Sequence, residues 1–175
     1  MTSSNLLYKT NIYIYTEGYF LRKILIFLLV IFFELTAFAA STSNLNKDGV
    51  ILDGFDPLTY FKSASPLKGN PKFQAKFNED IYLFISEENK AAFLLDPKKY
   101  VPQFGGWCAY AVADSKSKVE IDPKSFLIQD GKLLVFYNGI WANTREKWQK
   151  TKNKDAKEFL KEAEANWNEV KSKDP

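Results

Sequence analysis

From Gly49 onward the apolar positions fall into short alternating runs and short helical stripes set apart by turn residues. Phe73, Ala75 and Phe77 alternate with polar neighbours, Asn78-Glu79-Asp80 turns the chain, and Ile81 to Ile85 is β-branched and aromatic. This predicts a hairpin with an aromatic core face. Phe126 to Ile128 and Lys132 to Tyr137 flank Gln129-Asp130-Gly131 and predict a second hairpin. Asp56-Pro57 sets a capping carboxylate before a proline, which starts a short helix over Pro57 to Phe61. Turn signals around Gly69-Asn70-Pro71 end it. Ser86 caps a helix whose first turn holds Glu87 and Glu88 and whose buried side is Ala91 to Leu95, and Asp96-Pro97 stops it and opens a turn through Tyr100. Gly105-Gly106 precedes the apolar run Trp107 to Ala113, which reads as a helix starting near the glycines or, on periodicity alone, as a buried strand. Two helices close the chain: Trp141, Arg145 and Trp148 share one face of the first, and Phe159, Leu160, Ala163, Trp167 and Val170 stripe the second. The expected fold class is α+β, a compact single domain over 49–170 with two β-hairpins, several short helices and a longer C-terminal helix. No second linker and no internal repeat stand out.

The N-terminal segment has a different pattern. Arg22-Lys23 is followed by ten apolar residues, Ile24 to Phe33, then Glu34-Leu35-Thr36 and the small-residue run Ala37-Phe38-Ala39-Ala40. That order predicts a signal peptide within residues 1–39, cleaved after Ala39, and an exported, periplasmic or extracellular, protein. A retained anchor over 24–40 is the alternative, and it would bury Glu34 near the middle of a short span. Residues 1–20 serve no purpose a signal peptide requires, so synthesis starting at Leu21 is expected. Residues 40–48 read as a polar linker.

Composition narrows the chemistry. The 175 residues include 24 Lys+Arg, 21 Asp+Glu and no His, so the net charge of +3 is too small to suggest nucleic acid. The missing histidine removes Ser-His-Asp and Cys-His catalysis and the HExxH zinc sites, which argues against an enzyme. A single cysteine excludes an internal disulfide, and aromatic residues at 16% supply a core without one.

The segment Tyr82-Leu83-Phe84-Ile85-Ser86, followed by Phe93 and by Pro97-Lys98-Lys99-Tyr100, resembles the YHS domain family. Gly54-Phe55-Asp56-Pro57 resembles the family's opening motif, and Gly105-Gly106-Trp107-Cys108-Ala109 resembles the GGYCA stretch of its exported branch. Asp122-Pro123 and Asp130-Gly131-Lys132-Leu133 continue the likeness, which covers roughly residues 49–148. The resemblance implies a fold more than an activity. Members attached to heavy-metal transporters carry cysteines in the patterns D-P-V-C and F-C-S-x-x-C, and are thought to bind metal. Thr59, Ile85 and Asn89 stand at those positions here, so that soft-metal site is not expected.

Cys108 is the residue with distinctive reactivity. In the first turn of a helix starting at Gly105 or Gly106 its pKa would fall, whereas as a free cysteine among Trp107, Ala109, Tyr110 and Ala111 it reads as core. Gly105 and Gly106 read as a tight turn or as an anion-binding nest. Phe104, Trp107 and Tyr110, with Phe55, Tyr60 and Phe61, read as core filling or as the lining of a pocket for an apolar ligand or a haem edge. Asp53 and Asp56 are a weak hard-metal pair, Asp56 having a capping role already. Ser115-x-x-Lys118 matches a hydrolase spacing with no partner motif and is put down to chance. Arg145 to Lys154 holds five basic residues and one acidic, a solvated helix face or a contact for an anionic membrane surface.

The function expected is therefore a small, monomeric binding module, its partner an unidentified small ligand or an envelope protein. Phe104, Gly105, Gly106, Trp107, Cys108 and Tyr110 are its ligand-pocket candidates, and Cys108 is the one candidate contact for a metal or a metal-bearing cofactor, neither of which the sequence identifies. A thiol redox protein using Cys108 and a purely structural protein of the cell envelope are the alternatives.

Overall fold

A computed structural model describes Arg22, Lys23 and residues 42–150 and 156–173. The signal peptide, its cleavage point and the alternative anchor lie outside the described residues, as does part of the basic run after Lys150. Among the described residues no helix is long and apolar enough to cross a membrane.

The fold is α+β, as expected. The first hairpin joins β1 (Asn70–Phe77) to β2 (Asp80–Phe84), and the second joins β3 (Asp122–Gln129) to β4 (Lys132–Phe136). Helices α1 (Glu87–Leu95) and α2 (Pro97–Tyr100) follow the first hairpin, and α3 (Ala109–Asp114) precedes the second. A small hairpin, β5 (Asn138–Gly139) with β6 (Ala142–Asn143), then leads into α4 (Thr144–Gln149) and α5 (Ala156–Val170). Local chemistry explains several of these ends. Ser86 Oγ accepts the Asn89 amide at 3.3 Å to start α1, and Asn143 Oδ1 accepts the Glu146 amide at 3.1 Å to start α4. Asn78-Glu79 and Asp130-Gly131, all at positive φ, close the two main hairpins with the turn that matches strand twist.

The two hairpins are built alike, residue for residue. Asn70 pairs with Phe84, the register jumps, and Gln74 then pairs with Leu83; Asp122 pairs with Phe136, the register jumps likewise, and Phe126 pairs with Val135. Every second-hairpin residue lies 52 positions after its counterpart, and so do the isolated parallel bridges Val50–Ile81 and Pro102–Leu133. The same spacing relates two left-handed turns, Leu52-Asp53-Gly54 and Phe104-Gly105-Gly106. It also relates two strand-opening turns, in which Asn70 Oδ1 accepts the Lys72 amide and Asp122 Oδ1 accepts the Lys124 amide, each at 2.9 Å. Residues 50–85 and 102–137 are thus two copies of one folding unit, which corrects the expectation that no repeat is present. Side-chain identity hides it: Asn70-Pro71-Lys72 against Asp122-Pro123-Lys124 and Gly54-Phe55 against Gly106-Trp107 are among the few alike segments. What the units share is backbone geometry and the alternation of burial.

The core forms two clusters with β4 between them. Tyr82 and Phe84 of β2, Phe93 of α1, Leu58 and Tyr60 pack with Leu133 and Val135 of β4. Leu134 and Phe136, on the opposite face of β4, pack with α3, Trp148 of α4, and Phe159, Leu160 and Ala163 of α5. On the second unit α5 therefore covers the face that the second unit's own strand covers on the first. One expectation fails here. Trp141 does not share a helix face with Arg145 and Trp148, because the chain makes the β5–β6 hairpin first and α4 begins only at Thr144.

Candidate functional site

The six candidate residues follow the second left-handed turn. Phe104, Gly105 and Gly106 have φ of 54°, 58° and 79°, so the glycines relieve strain that Phe104 bears. A Cβ on Gly105 would also stand 3.0 Å from the Cα of Ser43. The segment read as a linker lies here: the Asn44 amide donates to Gly105 O at 2.7 Å, and Trp107 Nε1 donates to Thr42 O at 2.8 Å. Residues 42–44 therefore cover the turn, and its carbonyls are engaged by the chain itself.

Cys108 precedes α3 instead of lying in its first turn, because the helix starts at Ala109 and the two residues before Cys108, Gly106 and Trp107, are not helical. The thiol is 0% exposed. Its Sγ accepts the Tyr137 amide at 3.3 Å and lies 3.3 Å from Thr144 Oγ1. Thr144 Oγ1 donates to Tyr137 O at 2.8 Å, so its proton is committed there and the thiol is the donor to Thr144. Cys108 thus ties the turn before α3 to the end of β4 and the start of α4.

Its counterpart in the first unit, Asp56, does the same with a carboxylate. Oδ1 accepts the Leu58 amide at 2.8 Å; Oδ2 accepts the Ile85 amide at 2.8 Å and Asn89 Nδ2 at 2.7 Å. Thr59 Oγ1 donates to Asp56 O at 2.7 Å, and Lys62 Nζ donates to Asn89 Oδ1 at 3.1 Å. Ile85 and Tyr137 stand at the same place in the two units, each the residue after the second strand. The capping reading of Asp56 holds only in part: its carboxylate accepts the Leu58 amide, but the helix expected over Pro57 to Phe61 is a 3-10 turn over Thr59–Phe61 that begins after Leu58, and the reading misses the longer reach to Ile85 and Asn89. No local signal marks those partners, because hydrogen bonding between β2, α1 and the turn depends on tertiary placement. Asp53 does not join Asp56; it is exposed and paired with Lys68 at 2.9 Å.

The remaining candidates pack as core and surface rings: Phe104 and Tyr110 both join the cluster completed by α5. Phe104 packs edge-on to Trp167 with centroids 5.9 Å apart, and Trp107 sits under the covering segment with Lys118 Nζ 5.8 Å from its ring. Tyr110 packs edge-on to Phe159, and burial together with neighbouring Asp114 raises its phenol pKa. None of the six lines the cavity of about 200 Å³ found against Asn44, Leu52, Asp53, Glu120 and Ile121. Among the described residues no three His, Cys, Asp or Glu side chains gather as a metal-ion site. Compared with family models, curated proteins and solved structures, the chain shows no significant match.

Proposed function

We propose that the chain is an exported YHS-type domain that works by binding, and that its Asp56 and Cys108 centres hold the fold instead of a metal or a redox thiol. The observation that carries this reading is the fate of three positions. Thr59, Ile85 and Asn89, where metal-handling members of the resembled family carry cysteines, all hydrogen-bond to Asp56, Thr59 at its backbone carbonyl and the other two at its carboxylate. Their convergence supports the resemblance. The Leu58 and Ile85 amides and Asn89 Nδ2 engage the carboxylate oxygens that a cation would need, while Thr59 bonds the backbone carbonyl of Asp56, which supports the loss of metal binding. The thiol redox alternative needs an accessible sulfur, and Cys108 is buried with partners on both sides.

The test is elemental analysis and thiol titration of the protein isolated from the exported fraction without chelator, alongside its Cys108→Ala variant. The expected result is no stoichiometric metal in either protein, with Cys108 reacting only after urea unfolds the chain. Stoichiometric metal that disappears in the variant would overturn the reading. So would a native thiol that reacts as fast as a free one.

A further inference from the structure

We propose that the tip of the β5–β6 hairpin is a docking site for an anionic membrane surface. Ile140 and Trp141 form the turn between the paired residues Gly139 and Ala142, and they are 96% and 89% exposed. Two adjacent large apolar side chains with almost no contact to the fold call for a reason outside it.

The internal repeat shows that folding does not supply that reason. In the first unit Ile85 leads directly to the cap Ser86 and into α1. In the second, Tyr137 is followed by an insertion before the cap Asn143, and the spacing between equivalent residues rises from 52 to 57. The first unit closes its hairpin onto a helix without such an insertion. The extra residues are the ones that carry Ile140 and Trp141.

The helix entered from this tip is basic. Among its described residues and cap, Arg145, Lys147 and Lys150 stand against Glu146 alone, and Glu146 is already paired with Lys150 at 3.0 Å. An indole at headgroup depth, an aliphatic neighbour beneath it and cations in the headgroup plane are what an anionic bilayer binds. A stable protein interface buries about 800 Å² on each partner. Two side chains on a short turn offer far less, whereas a bilayer needs only a tip to insert.

This names a partner for the binding module proposed above and rests on that reading. A metal-free protein with a silent thiol would leave the earlier reading standing if vesicles failed to bind. Protein isolated from the exported fraction is mixed with vesicles whose acyl chains carry bromine, made of phosphatidylcholine with or without phosphatidylglycerol. Bromine quenches tryptophans that enter the hydrocarbon, so comparison of wild type with Trp141→Phe reads Trp141 alone. With phosphatidylglycerol, emission is expected to shift to the blue and be quenched. In Trp141→Phe the quenching is expected to disappear. In Lys147→Gln/Lys150→Gln, and in pure phosphatidylcholine, the affinity read from quenching should fall about tenfold or more. Unquenched wild-type emission, equal quenching in Trp141→Phe, or indifference to phosphatidylglycerol would each overturn the proposal. Shielding of Trp141 in lipid-free protein that grows with protein concentration would assign the tip to a second copy of the chain instead.

Discussion

Tyr60 and Tyr82 are the residues whose chemistry burial alters most, both phenols being pushed well above their usual value of 10.0 chiefly by loss of solvent. The sign of the effect on stability follows from linkage. Below pH 10 both states keep the phenol protonated and stability is complete. Above pH 10 the unfolded chain ionises while the folded one does not, so each buried tyrosine costs about 1.4 kcal/mol per further pH unit. Tyr60 also donates to Pro123 O at 2.9 Å. Tyr60→Phe is therefore expected to lose about 1 kcal/mol near neutrality. Above pH 10 it should lose stability less steeply than wild type, as urea midpoints between pH 7 and 11 would register. Parallel curves would mean that Tyr60 is reached by solvent. At this scale the sequence is a partial guide. The capping carboxylate of Asp56 and the aromatic character of the core can be read directly, while the partners of Asp56 and Cys108, contributed by residues far along the chain, cannot.

Both main hairpins, α1 and the turn at Asp96-Pro97 could be read from alternation and capping residues, because those signals are local. The start of α3 could not. Gly105-Gly106 looks like the approach to a helix, but its positive φ angles belong to a left-handed turn that ends in extended backbone at Trp107. The repeat sharpens one comparison between turns. Gly131 and Glu79 occupy the same position, at φ of 74° and 71°, and a side chain there costs about 1–2 kcal/mol. A Cβ on Gly131 would meet nothing within 4 Å, so backbone strain alone is at stake. Glu79 has in return only an ion pair to Lys76 in which both side chains are more than half exposed, worth about 0–1 kcal/mol. Glu79→Gly should stabilise by about 0.5 kcal/mol after the entropy of the unfolded glycine is counted, and Gly131→Ala should destabilise by about 1–2 kcal/mol. Denaturant unfolding of the two variants checks both signs. A loss of stability in Glu79→Gly would show that the turn's side-chain contacts outweigh its strain.

Two like units on one chain raise the question of whether they unfold separately, and β4 answers it. Leu133 and Val135 point into the cluster of the first unit, while Leu134 and Phe136, between and beside them, point into the second, where α5 completes the packing. All four are 0% exposed. Neither cluster can lose this strand and stay closed, and the described residues from 42 onward belong to one compact unit. The sequence hints at this through a strand apolar on both faces, Leu133-Leu134-Val135-Phe136, a pattern that belongs to strands covered on both sides. Leu133→Ala and Leu134→Ala each remove a fully buried side chain and should cost about 3 kcal/mol. Although they empty different clusters, both losses should appear equally in tryptophan emission, which reports mostly on the second unit, and in amide exchange of β2, which belongs to the first. If Leu134→Ala lowered the emission midpoint and left exchange in β2 untouched, the units would be separate folding domains. The covering role assigned to β4 would then belong to the interface alone.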